Sequence, residues 1–397
     1  EKILAEEKAV DFDDLLLKPA LLLKKEAALR ERYQNQWRFV HIDEYQDTNR
    51  VQYDIARLLA ESHRNIAVVG DLDQCLLPDT KIKTMHGAKT IQTIHKGEEV
   101  ISASGNGGIC RAKTTAVKKR AYTGDVVHIR TKGGARIAAT PEHLLFARLT
   151  PADNLFYVYL MYRRDKGFRV GIAKSMRQDG NGHRAIGLLV RCNQEKADKM
   201  WVLKICAEKR EAIYWEMFFS TRYGIPTVVF FTSGRKLAIT QKEIDALFKN
   251  VDTCGRTGSL FHDTGLHFNF PHYFPQGTTH SNTERNRVNI NLNMFGDRRK
   301  RAIHPWGMSR VSINTTDFDL KRKLEHAGFK PRKGKKNDWR LEIARLDYAH
   351  AEKIAAKIFL VKPSLTIIRS AFITNGKKML FQPASNIIPA MAVETIK

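Results

Sequence analysis

The chain of 397 residues is 43% hydrophobic and 27% charged, and its 67 Lys and Arg against 42 Asp and Glu give a formal charge of +25. That composition excludes a disordered chain or a disulfide-stapled miniature and leaves room for several packed domains. No stretch approaches eighteen consecutive apolar residues, and the opening EKILAEEKAVDFDD is acidic and helical in pattern. Neither a membrane span nor a targeting leader is therefore predicted, and a cytoplasmic location is expected.

The charge is unevenly placed. Residues 1–74 carry 11 Lys and Arg against 15 Asp and Glu, a net of −4, whereas residues 75–397 carry 56 against 27, a net of +29. An excess of that size favours nucleic acid through phosphate contacts and counterion release, and a solvated basic surface is the bland alternative. The five cysteines, Cys75, Cys110, Cys192, Cys206 and Cys254, show no Cys-x-x-Cys pair or Cys/His rhythm, so neither a disulfide framework nor a zinc site is expected.

In the first segment, FVHIDE (Phe39 to Glu44) reads as a buried parallel strand that delivers two carboxylates at its C-terminal end, the edge where α/β sheets bind ligands. Asp43 is placed to hold Mg²⁺ and Glu44 to orient or deprotonate a water. NIAVVGDLDQ (Asn65 to Gln74) reads as the neighbouring strand, and Arg50 to Glu61 as the crossover helix of a βαβ unit. With DFDDLLLKP (Asp11 to Pro19) ahead of them, VHIDEYQDTN and VVGDLDQ resemble, in order and spacing, the UvrD/Rep-type superfamily 1 DNA helicases. The resemblance implies a RecA-like fragment that uses ATP and Mg²⁺ on single-stranded DNA. It assigns Asp43 to the metal, Glu44 to the attacking water and Gln74 to the γ-phosphate. No G-x-x-x-x-G-K-[ST] phosphate loop occurs in the chain, and the aromatic and arginine residues that follow the glutamine in that family are absent. The segment is not expected to be an ATPase by itself.

At Cys75 the pattern changes to short β-rich runs separated by turns: TKIKTM, KTIQTI, EEVISAS, DVVHIRT and ARIAAT, as in a compact all-β module. CLLPDTKI (Cys75 to Ile82) and GGARIAATPEHLLFA (Gly133 to Ala147) resemble the two N-terminal splicing blocks of inteins, which form a Hint domain. A thiol at the first position can attack the preceding carbonyl and convert the Gln74–Cys75 amide into a thioester. Thr140 and His143, three apart in TPEH, are placed to polarise that amide, protonate the departing nitrogen and stabilise the oxyanion. An insert beside Gln74 blocks the motor until it is removed.

Farther on, Asn154 to Arg177 reads as two apolar strands joined by the turn RRDKG, and Lys209 to Pro226 as an amphipathic helix ended by Gly224 and Pro226. Strand, strand, basic loop and acidic helix resemble the GIY-YIG nucleases, an α+β fold that cuts double-stranded DNA. The resemblance sets Tyr157 and Tyr159 in the first motif, Val170-Gly171 in the second, Arg177 as the transition-state arginine and Glu216 as the ligand of a divalent metal; a tyrosine near the metal activates water. FRVG departs from the usual aromatic-aliphatic-Gly triplet, and the asparagine common after the helix is missing. His183 is a candidate to assist catalysis, against the reading of an incidental loop histidine. Residues 236–360 carry the clusters Arg298, Arg299, Lys300, Arg301 and KPRKGKK (Lys330 to Lys336, with Arg332 and Lys333), with aromatic and polar residues interleaved in DTGLHFNFPHYFPQG. This suits a DNA-tracking surface; a solvated loop is the competing reading.

From Ser364 the chain is β-patterned again, and QPASNIIPAMAV resembles the point where inteins re-enter the Hint domain after a nuclease insert, Ala390-Met391 standing where Gly-Met is usual. The chain ends at ETIK without the His-Asn pair of a complete intein, so the expectation is a piece missing both the helicase phosphate loop and the C-terminal splicing block. The predicted fold class is multidomain α/β and β: a helicase fragment (1–74), an N-terminal splicing region (75–150), a GIY-YIG-like body (151–235), a basic DNA-binding region (236–360) and the start of the C-terminal splicing region (361–397). The predicted function is a helicase precursor carrying a splicing element with a homing endonuclease. The alternatives are a permanent nucleic-acid-binding insert and a decayed, non-splicing element.

Overall fold

The computed structural model describes residues 14–42, 50–68, 75–105, 107–150, 152–178, 182–232, 237–277, 287–296, 307–334, 337–373 and 377–394. It divides into two compact units, Glu1–Gln74 and Cys75–Lys397. The division falls at the residue where the charge balance and the sequence pattern change.

The first unit contains α1 (Asp14–Lys25), α2 (Ala27–Gln36), β1 (Val40–Ile42), α3 (Arg50–Ala60) and β2 (Ile66–Val68). β1 and β2 pair in parallel, Val40 opposite Ile66 and Ile42 opposite Val68, so α3 is the crossover that the sequence predicts. Helix α3 turns Ala56, Leu58 and Ala60 inward. The buried Gln34 amide donates to Leu58 O at 2.6 Å, tying α2 to α3. The parallel register sets the C-terminal ends of the two strands, Ile42 and Val68, at the same edge of the sheet; Asp43, Glu44 and Gln74 lie outside the described residues.

The second unit begins with a four-stranded antiparallel sheet, β3 (Lys81–Thr84), β4 (Gly87–Thr90), β5 (Glu99–Gly105) and β6 (Gly108–Lys113), in the order β4-β3-β5-β6. KTIQTI is extended only to Thr90, because Ile91–Thr93 closes a 3-10 turn, and β6 went unpredicted. A ribbon follows, β7 (Val127–Arg130) with β8 (Arg136–Ala139), then β9 (Leu144–Leu149). Among the described residues 75–150 no α-helix occurs, as expected of an all-β module.

β10 (Phe156–Arg163) and β11 (Gly167–Lys174) form a hairpin whose turn is ended by Gly167 at φ +87°. After the small ribbon β12 (Met176–Gln178) and β13 (Arg184–Ile186) come α4 (Gly187–Gln194), β14 (Lys199–Cys206) and α5 (Lys209–Tyr223). The sheet order is β11-β10-β14, antiparallel throughout. β10 is apolar at nearly every position because both faces are covered. Val158 and Leu160 meet Ala212 and Phe219 of α5, while Tyr157, Tyr159 and Met161 meet Leu188 and Cys192 of α4. Gly224 ends α5 in the left-handed conformation, as its place in the sequence predicts.

α6 (Gln241–Asn250), opened by a Thr240/Glu243 capping box, and α7 (Thr253–Thr264) precede the aromatic segment read as DNA-facing. The structure corrects that reading, for much of the segment is internal. His272 is buried, accepts from Val202 N–H through Nδ1 at 2.8 Å and lies 2.7 Å from Asn386 O through Nε2, with burial holding its pKa at about 4. Gln382 and Asn386 donate to the carbonyls of Pro271 and Phe270.

The remaining strands are β15 (Asn289–Phe295), β16 (Met308–Thr315), β17 (Arg332–Lys333), β18 (Trp339–Arg345), β19 (Thr366–Phe372), β20 (Lys378–Pro383) and β21 (Met391–Val393), with helices α8 (Phe318–His326) and α9 (Tyr348–Val361). They join β9 in one eight-stranded sheet, β17-β18-β16-β15-β19-β20-β9-β21. The predicted boundary at 360 therefore does not separate two domains: β15 pairs with β19 in parallel, and β20 and β21 both pair with β9. Nor are the described residues of 236–360 a solvated loop, since Ile290, Leu292, Val311, Ile313, Leu320 and Ile358 build a core of their own.

Candidate functional site

The first residues of the second unit dock onto the end of β8. Leu76 bridges to Ala139, and the flanking residues close a pair of short links: Cys75 N–H donates to Thr140 Oγ1 at 3.0 Å, and Thr140 N–H donates to Cys75 O at 3.0 Å. The Thr140 hydroxyl also donates to Cys75 O at 3.4 Å, so one buried hydroxyl holds both main-chain polar groups of residue 75. This is the amide nitrogen that must leave if the Gln74–Cys75 bond is broken. A hydroxyl on it is placed to exchange a proton as the amide becomes an amine. The Cys75 thiol is partly exposed and free.

His143 lies one tight turn farther on, its N–H donating to Thr140 O at 3.1 Å and its carbonyl accepting from Ala384 N–H at 2.9 Å. The 3-10 turn Ala384–Asn386, from the far end of the sequence, thus braces the TPEH loop, and Ser385 N–H donates to Pro141 O. The His143 Nδ1 atom is buried and has no hydrogen-bond partner among the described residues. Burial also holds the imidazole below the usual histidine range, so it is neutral at pH 7. An orphaned, neutral nitrogen in a braced loop can take a hydrogen bond from a reacting group.

The other predicted residues are distributed differently. Tyr157 and Tyr159 are 0% and 1% exposed. The Tyr157 hydroxyl has no hydrogen-bond partner among the described residues, and that of Tyr159 accepts from Arg169 Nη1 at 2.9 Å. Burial pushes both phenols up, away from the phenolate form. A tyrosine near the metal is expected to activate water; in this geometry neither phenol reaches solvent, and both rings pack in the core. Arg169, where FRVG departs from the aromatic triplet, takes the centre instead. It pairs with Glu195 at 3.1 Å and donates to Val228 O and Thr227 O, while Glu195 also accepts from Phe230 N–H at 2.8 Å.

Glu216 is half-buried on α5. Burial pushes its carboxyl up, opposed by the charges of Arg169 and Arg191. Arg177 sits on β12, its stem against the start of α4 at Gly187, on the helix that also carries Arg191. Glu216 thus faces arginines from β11 and α4. Arg169, Arg191 and Glu195 were missed from sequence. The available signal was an arginine inside an apolar strand, which requires a carboxylate partner when buried.

Gly171 lies opposite Tyr159 in the hairpin, and a Cβ there would stand 2.5 Å from the phenol oxygen. Gly171→Ala is therefore expected to destabilise the second unit by about 1–3 kcal/mol. Thermal unfolding checks this, and Tyr159→Phe in the same chain should recover part of the loss.

Arg332 and Lys333 form β17, exposed, with Arg332 paired to Glu342 at 2.5 Å; Arg298, Arg299, Lys300 and Arg301 lie outside the described residues. Among the described residues no group of three or more His, Cys, Asp or Glu is gathered to hold a metal, and no helix is long and apolar enough to cross a membrane.

Comparison with known proteins bears on the first unit. Over 76 residues the chain is 42% identical to the ATP-dependent DNA helicase PcrA of Staphylococcus aureus and, equally, to that of Staphylococcus epidermidis. Residues 1–77 match the UvrD/REP helicase N-terminal domain. The aligned stretch is 19% of this chain and 10% of each relative, so the chain spans about a tenth of the length of the curated relatives it matches. The match ends within three residues of the division between the two units. Within it, the carboxylates Asp43 and Glu44 are hard oxygen donors that suit Mg²⁺, whereas no phosphate-gripping loop accompanies them in this sequence.

Proposed function

We propose that the chain is part of an ATP-dependent DNA helicase interrupted at Cys75 by a self-splicing domain, which in turn houses a DNA-binding, nuclease-like body. One observation carries this reading: the helicase match stops where a new compact unit begins, and the first amide of that unit is held by the hydroxyl of Thr140. In the helicase part, Asp43 would hold Mg²⁺, Glu44 would orient the attacking water and Gln74 would contact the γ-phosphate of ATP, whose hydrolysis would supply the free energy for movement on DNA. In the splicing part, the Cys75 sulfur attacks the Gln74 carbonyl carbon, a C–S bond forms, the C–N bond breaks, and the proton ends on the freed amine of Cys75. Thr140 and His143 handle that proton.

The test is cleavage of the full chain by an added dithiol, which captures the thioester and releases residues 1–74 from residues 75–397. Mass spectrometry identifies the fragments. Cleavage elsewhere, or none, overturns the reading.

A second reading concerns the inner body, which either cuts DNA with Glu216 as metal ligand or only binds it. The sealed phenols of Tyr157 and Tyr159 favour binding without cutting. Linear duplex DNA carrying the uninterrupted helicase sequence, incubated with the chain and Mg²⁺, decides. A cutting enzyme loses activity on Glu216→Gln by roughly two orders of magnitude or more. A binding body leaves the duplex intact in both cases.

A further inference from the structure

The sheet strands β15, β16, β17 and β18 have two unlike faces. One is packed under α8 and α9 through Ile290, Leu292, Val311, Ile313, Trp339 and Leu341. The other carries no helix and alternates with the first, presenting Asn291, Asn293, Arg310, Ser312, Asn314 and Arg340. Asn314 and Arg340 are exposed and the other four partly exposed. The register makes these side chains a grid: Asn291 stands opposite Ser312, Asn293 opposite Arg310, and Asn314 opposite Arg340. Glu342 is the one acid on this face of the four strands, and both Arg310 and Arg332 pair with it.

We infer that this helix-free face reads base edges in the major groove of double-stranded DNA. The inference rests on the DNA-binding part of the function proposed above and adds where and how the duplex is recognised. Three observations carry it. The first is residue type: Asn and Arg make bidentate contacts with the edges of adenine and guanine, and Ser bonds to either, whereas a merely solvated sheet face has no need to concentrate amides. The second is size. The three strands bearing the grid are spaced by about 4.8 Å, so the patch is about 10 Å across and fits a major groove about 12 Å wide. The third is charge. Residues 289–372 carry 19 Lys and Arg against 8 Asp and Glu, a basic excess that suits a phosphate-lined ligand.

The opposite side lacks this character. On α8, Lys321, Arg322 and Lys323 are paired with Glu325 and Asp319 of the same helix, an ordinary solvated surface. Duplex DNA is favoured over RNA because the deep, narrow major groove of A-form RNA admits no such patch, and single-strand readers need exposed stacking aromatics. Phe295, on the reading face, is covered by the Arg310 guanidinium at 5.0 Å.

The experiment is selection from a pool of duplexes with a random core, using the full chain at about 150 mM salt, followed by sequencing of the bound fraction. A defined motif is expected. Arg340→Ala and Asn314→Ala, both at exposed positions outside the core, should each flatten the preference at one or two adjacent base positions. The loss expected is roughly 5- to 150-fold of discrimination per position. Lys353→Ala, on the helix-covered side, should leave the motif unchanged. Three results overturn the inference: no enriched motif, a motif indifferent to Arg340, Asn314 and Asn291, or tighter binding to an RNA hairpin than to any duplex. Binding to duplex without a motif leaves the DNA-binding function standing and removes only this inference; binding to no duplex removes both. Cys75→Ala should leave the selected motif unchanged, which keeps the test separate from the splicing chemistry.

Discussion

Replacing Cys75 by Ala is expected to abolish dithiol-induced cleavage between Gln74 and Cys75 while leaving the fold intact. The expectation follows from what residue 75 contributes. Its backbone N–H and C=O are both held by Thr140, contacts that Ala retains, and its side chain is partly exposed, so little packing is lost. The sulfur is the one atom removed that can accept the acyl group. Thr140→Val and His143→Ala should slow cleavage without abolishing the nucleophile, by roughly 10²–10⁴-fold each if they move the proton as proposed. Thr140→Val also leaves the Cys75 amide without its acceptor, so its melting temperature must be measured beside its rate. A slow but fully folded Thr140→Val protein separates a role at the scissile amide from a role in holding the strand edge. Fragments of the same masses from the Cys75→Ala protein would remove Cys75 from the reaction and with it the splicing reading.

Why this junction is legible in a single sequence, and the inner body less so, has a physical explanation. The helicase segment is a local pattern: an apolar run, two acids, a helix and another apolar run, all within about 40 residues, and the described parts fold as that pattern predicts. Cys75 and Thr140, singled out because a cysteine at the change of pattern and TPEH are short strings of specific chemistry, are hydrogen-bonded to each other in the fold. What joins them to the rest was invisible. Thr150 donates to Ala390 O at 2.8 Å and β9 pairs with β20 and β21, across more than 200 residues of intervening chain. Pairing at that separation leaves no periodicity at either end, so the boundary at 360 was drawn through a continuous sheet. The alternation of β15, β16 and β18 is present in the sequence, but the basic runs beside these strands carry the same residue types as a solvated loop.

The buried network around β10, β11 and β14 was missed for a different reason. Motif reading places tyrosines by analogy, whereas burial decides what they can do. Arg169 and Glu195 are 4% and 0% exposed, and each is surrounded by further hydrogen bonds: Arg169 to Tyr159, Thr227 and Val228, Glu195 to Phe230 N–H. An ion pair so enclosed has a low net worth, because desolvation cancels much of the attraction, but breaking it is costly. Glu195→Ala leaves the guanidinium without its counter-charge and the Phe230 amide without its acceptor. A loss of about 3–5 kcal/mol is expected, enough to lower the melting temperature by roughly 4–7 °C in a unit of this size. Arg169→Met combined with Glu195→Leu should be far less destabilised than either single change, since no lone charge remains. Tryptophan fluorescence suits the measurement because Trp201 lies in the same sheet, on its opposite face. Equal losses in the double and single variants would mean that the pair acts through the shape of the loop at Thr227–Phe230 and not through charge. Tyr159→Phe should cost about 0.5–1.5 kcal/mol, the net worth of one hydrogen bond, and should leave DNA affinity unchanged, as expected of a phenol that packs against an arginine and meets no substrate.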